Sequence, residues 1–463
     1  MDKYIDGVRV IVAEEHHDCE HLLGKFLDES HYDVLIDEDC DFYAPPENTL
    51  FGVEETSEEK CIFKLRKGFF SMEEQRGAYE GLRDAAVASN NRGIAAGDRT
   101  EMTGNRVFVT ERHLRILDMM MNPAGAVIDD AFTVADAVAD KSWGNPNSKK
   151  GEAWIIRVVG DNFDFEKWAE ETVKLSPSEM NKKARELSKG VSTTTYANEV
   201  HSGIAGWFDR YPRIPFGRAT SYTANNPEKF AKSYPFLQKL SDGFSKFLPE
   251  RFVKQKKCAD SLDPAFVVPE TPFTTLTVNK TFRTAAHRDA GDLKKGFSNL
   301  SVITNKEKCY TGGYLVLPEF RVAVNIRPGD LLLINNHDGV HGNTPIEIDD
   351  DGERVSVVCY FRENMLELGS KPYEDARAKF VEQRRNDKNH PEWRPLWNGI
   401  SPGMFETDEW YKFLYNEIGE EELLKYHPRA KGSIEEFESC TKRKVHGDDV
   451  CNGCNKICNG RGE

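Results

Sequence analysis

The chain has 463 residues, a formal net charge of −15, and 39% hydrophobic and 11% aromatic residues. Its length exceeds that of one typical domain, and its apolar content is that of a folded protein. The sequence contains no run of 18 apolar residues and no apolar signal-peptide core, so neither a transmembrane span nor secretion is expected. The ten cysteines are scattered, which predicts a reducing, intracellular location.

The first region, residues 1–195, is expected to be an additional α/β region of unknown role. It begins with a strand-like segment at 8–12 and continues with short apolar runs and acidic loops. Four neighbouring side chains have the composition of a metal site: His16, His17, Cys19 and His21. The overlapping sequence is helix-like, which favours a solvated helix start over a metal site.

The second region, residues 196–365, combines helices with many short strands. Apolar residues recur at three- and four-residue steps over 227–248, which predicts a helix that kinks or restarts at Pro235. Strands separated by Gly and Pro then dominate from 271 to 362. The predicted fold class is α+β, with a double-stranded β-helix (a jelly-roll, cupin-like barrel) and supporting helices.

A candidate metal site lies among these strands. His287 and Asp289 are one residue apart in an extended segment, so both side chains are expected on the same side. A strand predicted over 329–334 leads towards His341, which can supply a third ligand. Two histidines and one carboxylate are the ligand set of non-haem Fe(II) oxygenases, which leaves other positions on the metal open.

His337 is the alternative third ligand. His341 is preferred because the small Gly342 lets the backbone approach a metal closely, and because Arg354 follows after a loop of suitable length. In that case His337 is expected to orient a ligand or to line the mouth of the site.

Four further residues are candidate cofactor contacts. Arg354 is expected to bind the far carboxylate of 2-oxoglutarate, because a guanidinium can form two parallel hydrogen bonds with it. Ser356 shares its strand face and adds a hydroxyl. Asn279 and Arg283 have the same parity as His287 on a regular strand, so one of them is expected to contact oxoglutarate or substrate. The alternative is that neighbouring strand residues satisfy both side chains.

The C-terminal part is expected to comprise a helical, charged extension over 366–430 and a Cys-rich tail over 431–463. The tail contains a C-x2-C step, the spacing that holds thiolates around zinc. The candidate zinc ligands are Cys440, Cys451, Cys454 and Cys458, with His446 as a further possible ligand. The alternative is a tail with free thiols.

The stretch from Gly203 to Met365, about a third of the chain, resembles the TET/JBP family of Fe(II)- and 2-oxoglutarate-dependent nucleic-acid dioxygenases, most of all its compact microbial and phage-type members. The segments that carry the resemblance are Thr274–Asn279, Phe282–Asp292, Gly312–Pro318, His341–Asn343, Arg354–Ser356 and Tyr360–Met365. Neither the large Cys-rich insert of animal TET proteins nor a JBP-type DNA-reading domain is matched, so the mode of DNA targeting stays open.

The resemblance implies that His287, Asp289 and His341 bind iron, that Arg354 binds oxoglutarate, and that O2 is the co-substrate. It also implies hydroxylation of the 5-methyl group of thymine or 5-methylcytosine in DNA, with the target base flipped out of the duplex. The acidic net charge favours the alternative, a hydroxylase of a protein side chain or a small metabolite, and a non-enzymatic binding module is the third possibility. The adjacent Lys294 and Lys295 are the cations expected nearest to the site mouth.

Overall fold

The computed structural model describes residues 2–45, 56–89, 92–97, 199–210, 214–289, 291–304, 310–349, 352–391, 393 and 403–432. The chain divides into two compact units. The first comprises residues 1–103, 195–209 and 217–368, and the second comprises residues 104–194, 210–216 and 369–463. None of the described helices is both long and apolar enough to span a membrane.

Seventeen strands are described. In chain order they are β1 (Asp2–Ile5), β2 (Val8–Val12), β3 (Val34–Ile36), β4 (Cys40–Tyr43), β5 (Cys61–Arg66), β6 (Ala88–Ser89), β7 (Val200–Arg210), β8 (Ile214–Ala219), β9 (Thr275–Lys280), β10 (Ser298–Ile303), β11 (Tyr310–Gly312), β12 (Leu315–Leu317), β13 (Val322–Val324), β14 (Leu331–Ile334), β15 (Gly342–Asn343), β16 (Ile346–Ile348) and β17 (Val355–Tyr360). The described helices are α1 (Met72–Leu82), α2 (Ser221–Asn225), α3 (Pro227–Ala231), α4 (Tyr234–Phe247), α5 (Pro249–Asp260), α6 (Lys371–Asn386) and α7 (Asp408–Tyr426).

One large sheet dominates the first unit. Its order is β1-β2-β4-β5-β14-β10-β17-β9-β7-β6, with β8 paired to β7. The pair β2–β4 is parallel, whereas β5–β14, β14–β10, β10–β17 and β17–β9 are antiparallel. A four-stranded sheet has the order β15-β12-β13-β3, and β11 pairs with β16. Strands from residues 2–66 therefore extend both larger sheets, through β5 in one and β3 in the other.

Alternation along the strands explains why both faces of the large sheet are buried. In β14, Leu331 and Leu333 belong to a core that includes residues of α1 and α4. Leu332 and Ile334 belong to a second core, shared with the four-stranded sheet. Because successive side chains of a strand point to opposite faces, one apolar run serves both cores.

The helix predicted over 227–248 is divided in two, as the position of Pro235 suggested. Helix α3 ends at Ala231, and α4 restarts at Tyr234 with Pro235 in its first turn, where a missing backbone N–H costs nothing. The predicted strand at 329–334 is confirmed as β14.

The described part of the second unit consists mainly of α6 and α7. Trp410 is fully buried in their shared core, with Phe380 and Leu414 among its neighbours. This agrees with the helical character expected after residue 366. The predicted zinc ligands at 440–458 lie outside the described residues, and the domain boundaries remain predictions.

Candidate metal centre and active-site cavity

Backbone hydrogen bonds bring the three predicted ligands together. His287 and His341 face each other as an antiparallel pair, with N–H to carbonyl distances of 2.9 and 3.0 Å in the two directions. The N–H of Asp289 donates to the carbonyl of Asn336 at 3.0 Å. The segment carrying His287 and Asp289 is thus held against the loop that carries His341.

The ligand atoms converge on one point. The Nε2 atoms of His287 and His341 lie 3.6 and 3.7 Å from the two carboxylate oxygens of Asp289. Each of the three residues offers a ligand atom within 4.8 Å of the others, and they are the metal-ligand group that the described part of the chain contains. His16, His17, Cys19 and His21 form no such group, and a short 3-10 turn at Glu20–Leu22 lies there instead.

Both imidazoles are prepared for coordination. The Nδ1 of His287 lies 2.8 Å from the carbonyl of Ala285, and that of His341 lies 3.0 Å from the carbonyl of Gly339. A proton on each Nδ1 satisfies these carbonyls and leaves each Nε2 lone pair free for a metal. Burial lowers the pKa of His341 to about 4, so this ring is neutral at physiological pH.

The centre is open on one side. The side chain of Asp289 is 34% exposed, whereas those of His287 and His341 are 13% and 5% exposed. The three residues line a cavity of about 390 Å³. A metal held here would therefore be reached past Asp289.

Arg354 lies in the wall of the same cavity, directly before β17. The residue is 3% exposed, and its Nε atom has no hydrogen-bond partner among the described residues. Gly313 makes room for it, because a Cβ there would lie 3.3 Å from the Cδ and Nε of Arg354. A buried cation with an unsatisfied donor fits an anionic ligand, since burying a charge is costly unless it is paired.

The cavity also contains Ser356 and Asn279, which are directly paired in the register of β17 and β9. The side-chain oxygen of Asn279 accepts a hydrogen bond from the hydroxyl of Ser202. Both side chains therefore lie in the cavity wall, and the neighbouring strand supplies a hydrogen-bond partner for Asn279, as the alternative expected.

Arg283 lies elsewhere. The regular strand on which its prediction depended ends at Lys280, and Thr281 has a left-handed φ of +48° that breaks the alternation. The guanidinium of Arg283 donates to the backbone carbonyls of Leu27 (2.6 Å) and Asn343 (3.3 Å), and the residue does not line the cavity described above.

His337 lies apart from the ligand group. Its Nε2 is 3.8 Å from Asp338, and its buried Nδ1 has no partner within the described ranges. It lines a small neighbouring pocket together with Asp292 and Asn336, both of which also line the main cavity. This geometry favours His341 over His337 as the third ligand.

Sequence reasoning missed a segment of the first region that forms part of the cavity wall. Residues 92–95 line the cavity, and the carbonyl of Ala95 accepts from the N–H of Ala285 at 2.9 Å. The Nε of Arg92 is buried without a partner in the part of the chain that the structure describes, and burial lowers the pKa of this guanidinium. No local motif marks the segment, because only the tertiary fold brings it to the site.

Asp292 was also missed, although it follows Asp289 by three residues. It is buried in the cavity wall and accepts a hydrogen bond from the hydroxyl of Ser298. Burial, and next the charge of Asp289, raise the pKa of Asp292 well above its usual value. A carboxyl group in this environment can be protonated and act as a hydrogen-bond donor.

Lys294 and Lys295 are exposed in the turn that follows Asp292. They do not line the cavity itself.

Two imidazoles and one carboxylate around one point, with a buried arginine in the wall of the same cavity, are typical of Fe(II)- and 2-oxoglutarate-dependent oxygenases. Residues 204–363 match the TET/JBP family model, which is described as the oxygenase domain of the 2OGFeDO superfamily. The chain is therefore similar to the TET/JBP oxygenase domain over this range, which is the segment whose motifs carried the predicted resemblance.

Curated relatives match the same part of the chain. Thymine dioxygenase JBP1-B of Trypanosoma cruzi (strain CL Brener) is 38% identical over 168 residues, which is 35% of this chain and 19% of that protein. Thymine dioxygenase JBP1 of Leishmania braziliensis is 31% identical over 205 residues, 43% of this chain and 24% of that protein. The chain thus spans only about a fifth to a quarter of these relatives.

The solved structure of NgTET1 in complex with 5mC DNA aligns with this chain at 18% identity and a TM-score of 0.31. The alignment covers 43% of this chain and 73% of the NgTET1 chain. A likeness of this degree supports no conclusion about substrate.

Proposed function

We propose that this chain is an Fe(II)- and 2-oxoglutarate-dependent dioxygenase that hydroxylates the 5-methyl group of thymine or 5-methylcytosine in DNA. The observation that carries the proposal is the convergence of His287, Asp289 and His341 in one cavity with Arg354, inside a segment that matches the TET/JBP oxygenase model. The Nε of Arg354 has no hydrogen-bond partner among the described residues. The matched curated relatives are named thymine dioxygenases, which favours thymine as the base that is modified.

We further infer that the two packed sheets form the double-stranded β-helix of such oxygenases. In this arrangement β14, β10, β17 and β9 form one wall, and β12, β13 and β15 form the other. The core shared by the two sheets supports the inference, because it contains side chains from both.

Iron would be held by the Nε2 atoms of His287 and His341 and a carboxylate oxygen of Asp289. When bound together with oxoglutarate and O2, it supplies the oxidation that places oxygen on the substrate methyl group. The carbonyls of Ala285 and Gly339 hold the two rings in the tautomer that coordination needs.

Arg354 would bind the far carboxylate of oxoglutarate through two N–H donors, and Ser356 would add a hydroxyl from the same wall. Burial makes this contact strong, because a charge-assisted hydrogen bond is screened little away from water. Asn279, paired with Ser356 across the strands, is the second candidate contact on this wall.

A pyrimidine stacked in duplex DNA cannot reach a recessed centre, so the target nucleotide must leave the helix. Asp289, the most exposed ligand, marks the side from which the methyl group would enter. Asp292 and Arg92 line the same cavity and are candidate contacts for the base edge.

The competing function, hydroxylation of a protein side chain or a small metabolite, is favoured by the net charge of −15. The discriminating experiment measures succinate release by the purified chain with Fe(II), oxoglutarate and ascorbate. It uses matched duplexes that contain thymine or 5-methylcytosine, and one in which uracil and cytosine replace them. Release that depends on a 5-methylpyrimidine supports the proposal. Release that is identical on all duplexes and without DNA contradicts it.

A further inference from the structure

We propose that Glu319 is a positioning residue that holds the two ligand-bearing loops in register. The inference rests on the proposed metal centre, and it assigns a role to a side chain outside the cavity lining.

Glu319 lies in a short 3-10 turn, Pro318–Phe320, which follows β12. The residue is only 4% exposed. A buried carboxylate is costly unless hydrogen bonds and opposite charges surround it, so its partners indicate what it does.

The two carboxylate oxygens of Glu319 bind different loops. Oε1 accepts from the Nη2 of Arg288 at 3.0 Å, and Oε2 accepts from the backbone N–H of Val340 at 3.2 Å. Arg288 stands between His287 and Asp289 in the sequence, and Val340 directly precedes His341. One carboxylate therefore reaches the immediate neighbours of all three ligands.

Arg288 reinforces the link from the other side. Its Nε donates to the carbonyl of Asp338 at 2.7 Å, which is in the loop that leads to His341. Its Nη1 also pairs with Glu20, an exposed carboxylate of the first region whose contribution solvent weakens. The buried pair with Glu319 is thus expected to be the dominant restraint on Arg288.

The first region also contacts Glu319. The backbone N–H of His17 donates to the carbonyl of Glu319 at 2.8 Å, and the Nε2 of His16 lies 3.8 Å from Oε2. The ring of His16 also packs edge-on against Phe320, with 5.3 Å between centroids. His16 and His17 therefore contact Glu319 from the first region, and the burial of its carboxylate strengthens its contacts with both loops.

Through these contacts, Glu319 restrains the positions of the three metal ligands relative to one another. Groups that orient metal ligands typically change metal affinity by roughly 10- to 100-fold when they are removed. Glu319→Gln keeps an oxygen for Val340 but loses the charge that Arg288 needs. We therefore expect the dissociation constant for Co(II) to be roughly 10- to 100-fold higher in Glu319→Gln than in the wild-type chain. The visible absorption spectrum of the bound Co(II) should also differ.

The test titrates Co(II) alone into the metal-free full chain, with absorption and calorimetry as readouts. Glu347→Gln is the matched control, because it changes an exposed carboxylate in β16. Glu319→Asp should restore part of the affinity, since the charge is kept. If Glu319→Gln does not fold, Arg288→Gln tests the same link from the more exposed partner.

If both Glu319→Gln and Arg288→Gln keep the wild-type Co(II) affinity and spectrum, the positioning role of Glu319 is refuted, even if the melting temperature of the metal-free chain falls. A wild-type chain that binds no Co(II) would instead refute the metal centre, and with it the role of Glu319. The two failures are therefore distinguishable.

Discussion

Among single residues, the three convergent ligands are expected to matter most for activity. Replacing His287 or Asp289 with Ala should abolish DNA-dependent succinate release and leave the fold intact, because other residues form the cores.

His337→Ala should reduce activity far less than His341→Ala, since His337 lies outside the ligand group. Activity assays with melting curves check both points. Full activity of Asp289→Ala with added Fe(II) would contradict the assignment of the ligands. A smaller loss of activity in His341→Ala than in His337→Ala would contradict the choice of His341.

Arg354→Lys should raise the oxoglutarate concentration needed for half-maximal activity by roughly 10- to 100-fold. One hydrogen bond to a charged group contributes about 1.5–3 kcal/mol, and the lysine ammonium cannot reproduce the two-donor fork. Co(II) affinity measured without oxoglutarate is the control and should not change. An unaltered oxoglutarate requirement would remove Arg354 from the cofactor site.

These residue-level assignments were accessible from the sequence because alternation along a strand is local information. Alternation put Ser356 on the strand face of Arg354, and the i, i+2 spacing brought His287 and Asp289 together. Asn279 also lines the cavity, but Thr281 interrupts its parity with His287. Parity failed for Arg283, because the strand stops three residues earlier and a left-handed residue follows. The sequence does not indicate that the strand ends here, because threonine rarely adopts the left-handed conformation that Thr281 has.

At the level of secondary-structure elements, the turn between β11 and β12 leaves room for the side chain of Arg354. Gly313 has a φ of +67°, and an added Cβ would meet the side chain of Arg354. Gly313→Ala should therefore lower the free energy of unfolding by about 1–2 kcal/mol and also raise the oxoglutarate requirement.

Gly7→Ala is the matched control for this prediction. Gly7 has a φ of +81° in the turn between β1 and β2, and no atom of the described residues lies within 4 Å of its added Cβ. It should lose similar stability and keep the wild-type oxoglutarate requirement. Denaturant unfolding and steady-state kinetics on both variants check this, and equal kinetics in the two would show that Gly313 does not shape the cofactor site.

Local signals also explain which elements were predicted. Proline chemistry placed the restart of α4, and the apolar run at 329–334 identified β14. The packing of residues 92–95 against Ala285 had no such signal, because it joins positions almost two hundred residues apart. Long-range contacts of this kind are decided by the tertiary fold.

At the scale of the whole molecule, an acidic chain must find local cations to engage DNA. Lys294 and Lys295 are exposed just after Asp292, which lines the cavity. Replacing both with Glu should weaken binding of a methylated duplex and reduce the slope of log affinity against log salt by up to about 2. Succinate formed without DNA should persist, because the metal ligands and Arg354 are untouched. Unchanged affinity and slope would mean that the backbone is held elsewhere.

The first 66 residues illustrate what the sequence could not reveal at this scale. Their strands read as a separate region, yet β5 pairs with β14 and β3 pairs with β13, so they extend the sheets that carry the site. Strand pairing between distant segments depends on register and burial, which a single sequence does not encode locally. The predicted function needed only the short motifs around the ligands.

Hydroxylation of a base in DNA can be followed by tracing labelled oxygen into the product. The chain is incubated with Fe(II), oxoglutarate, ascorbate and 18O2 on duplexes containing thymine and 5-methylcytosine, and the nucleosides are analysed by mass spectrometry. We expect an 18O-labelled 5-hydroxymethylpyrimidine from the wild-type chain and none from Asp289→Ala. Unmodified nucleosides, from a wild-type chain that binds Co(II) and turns over oxoglutarate, would contradict the proposed function.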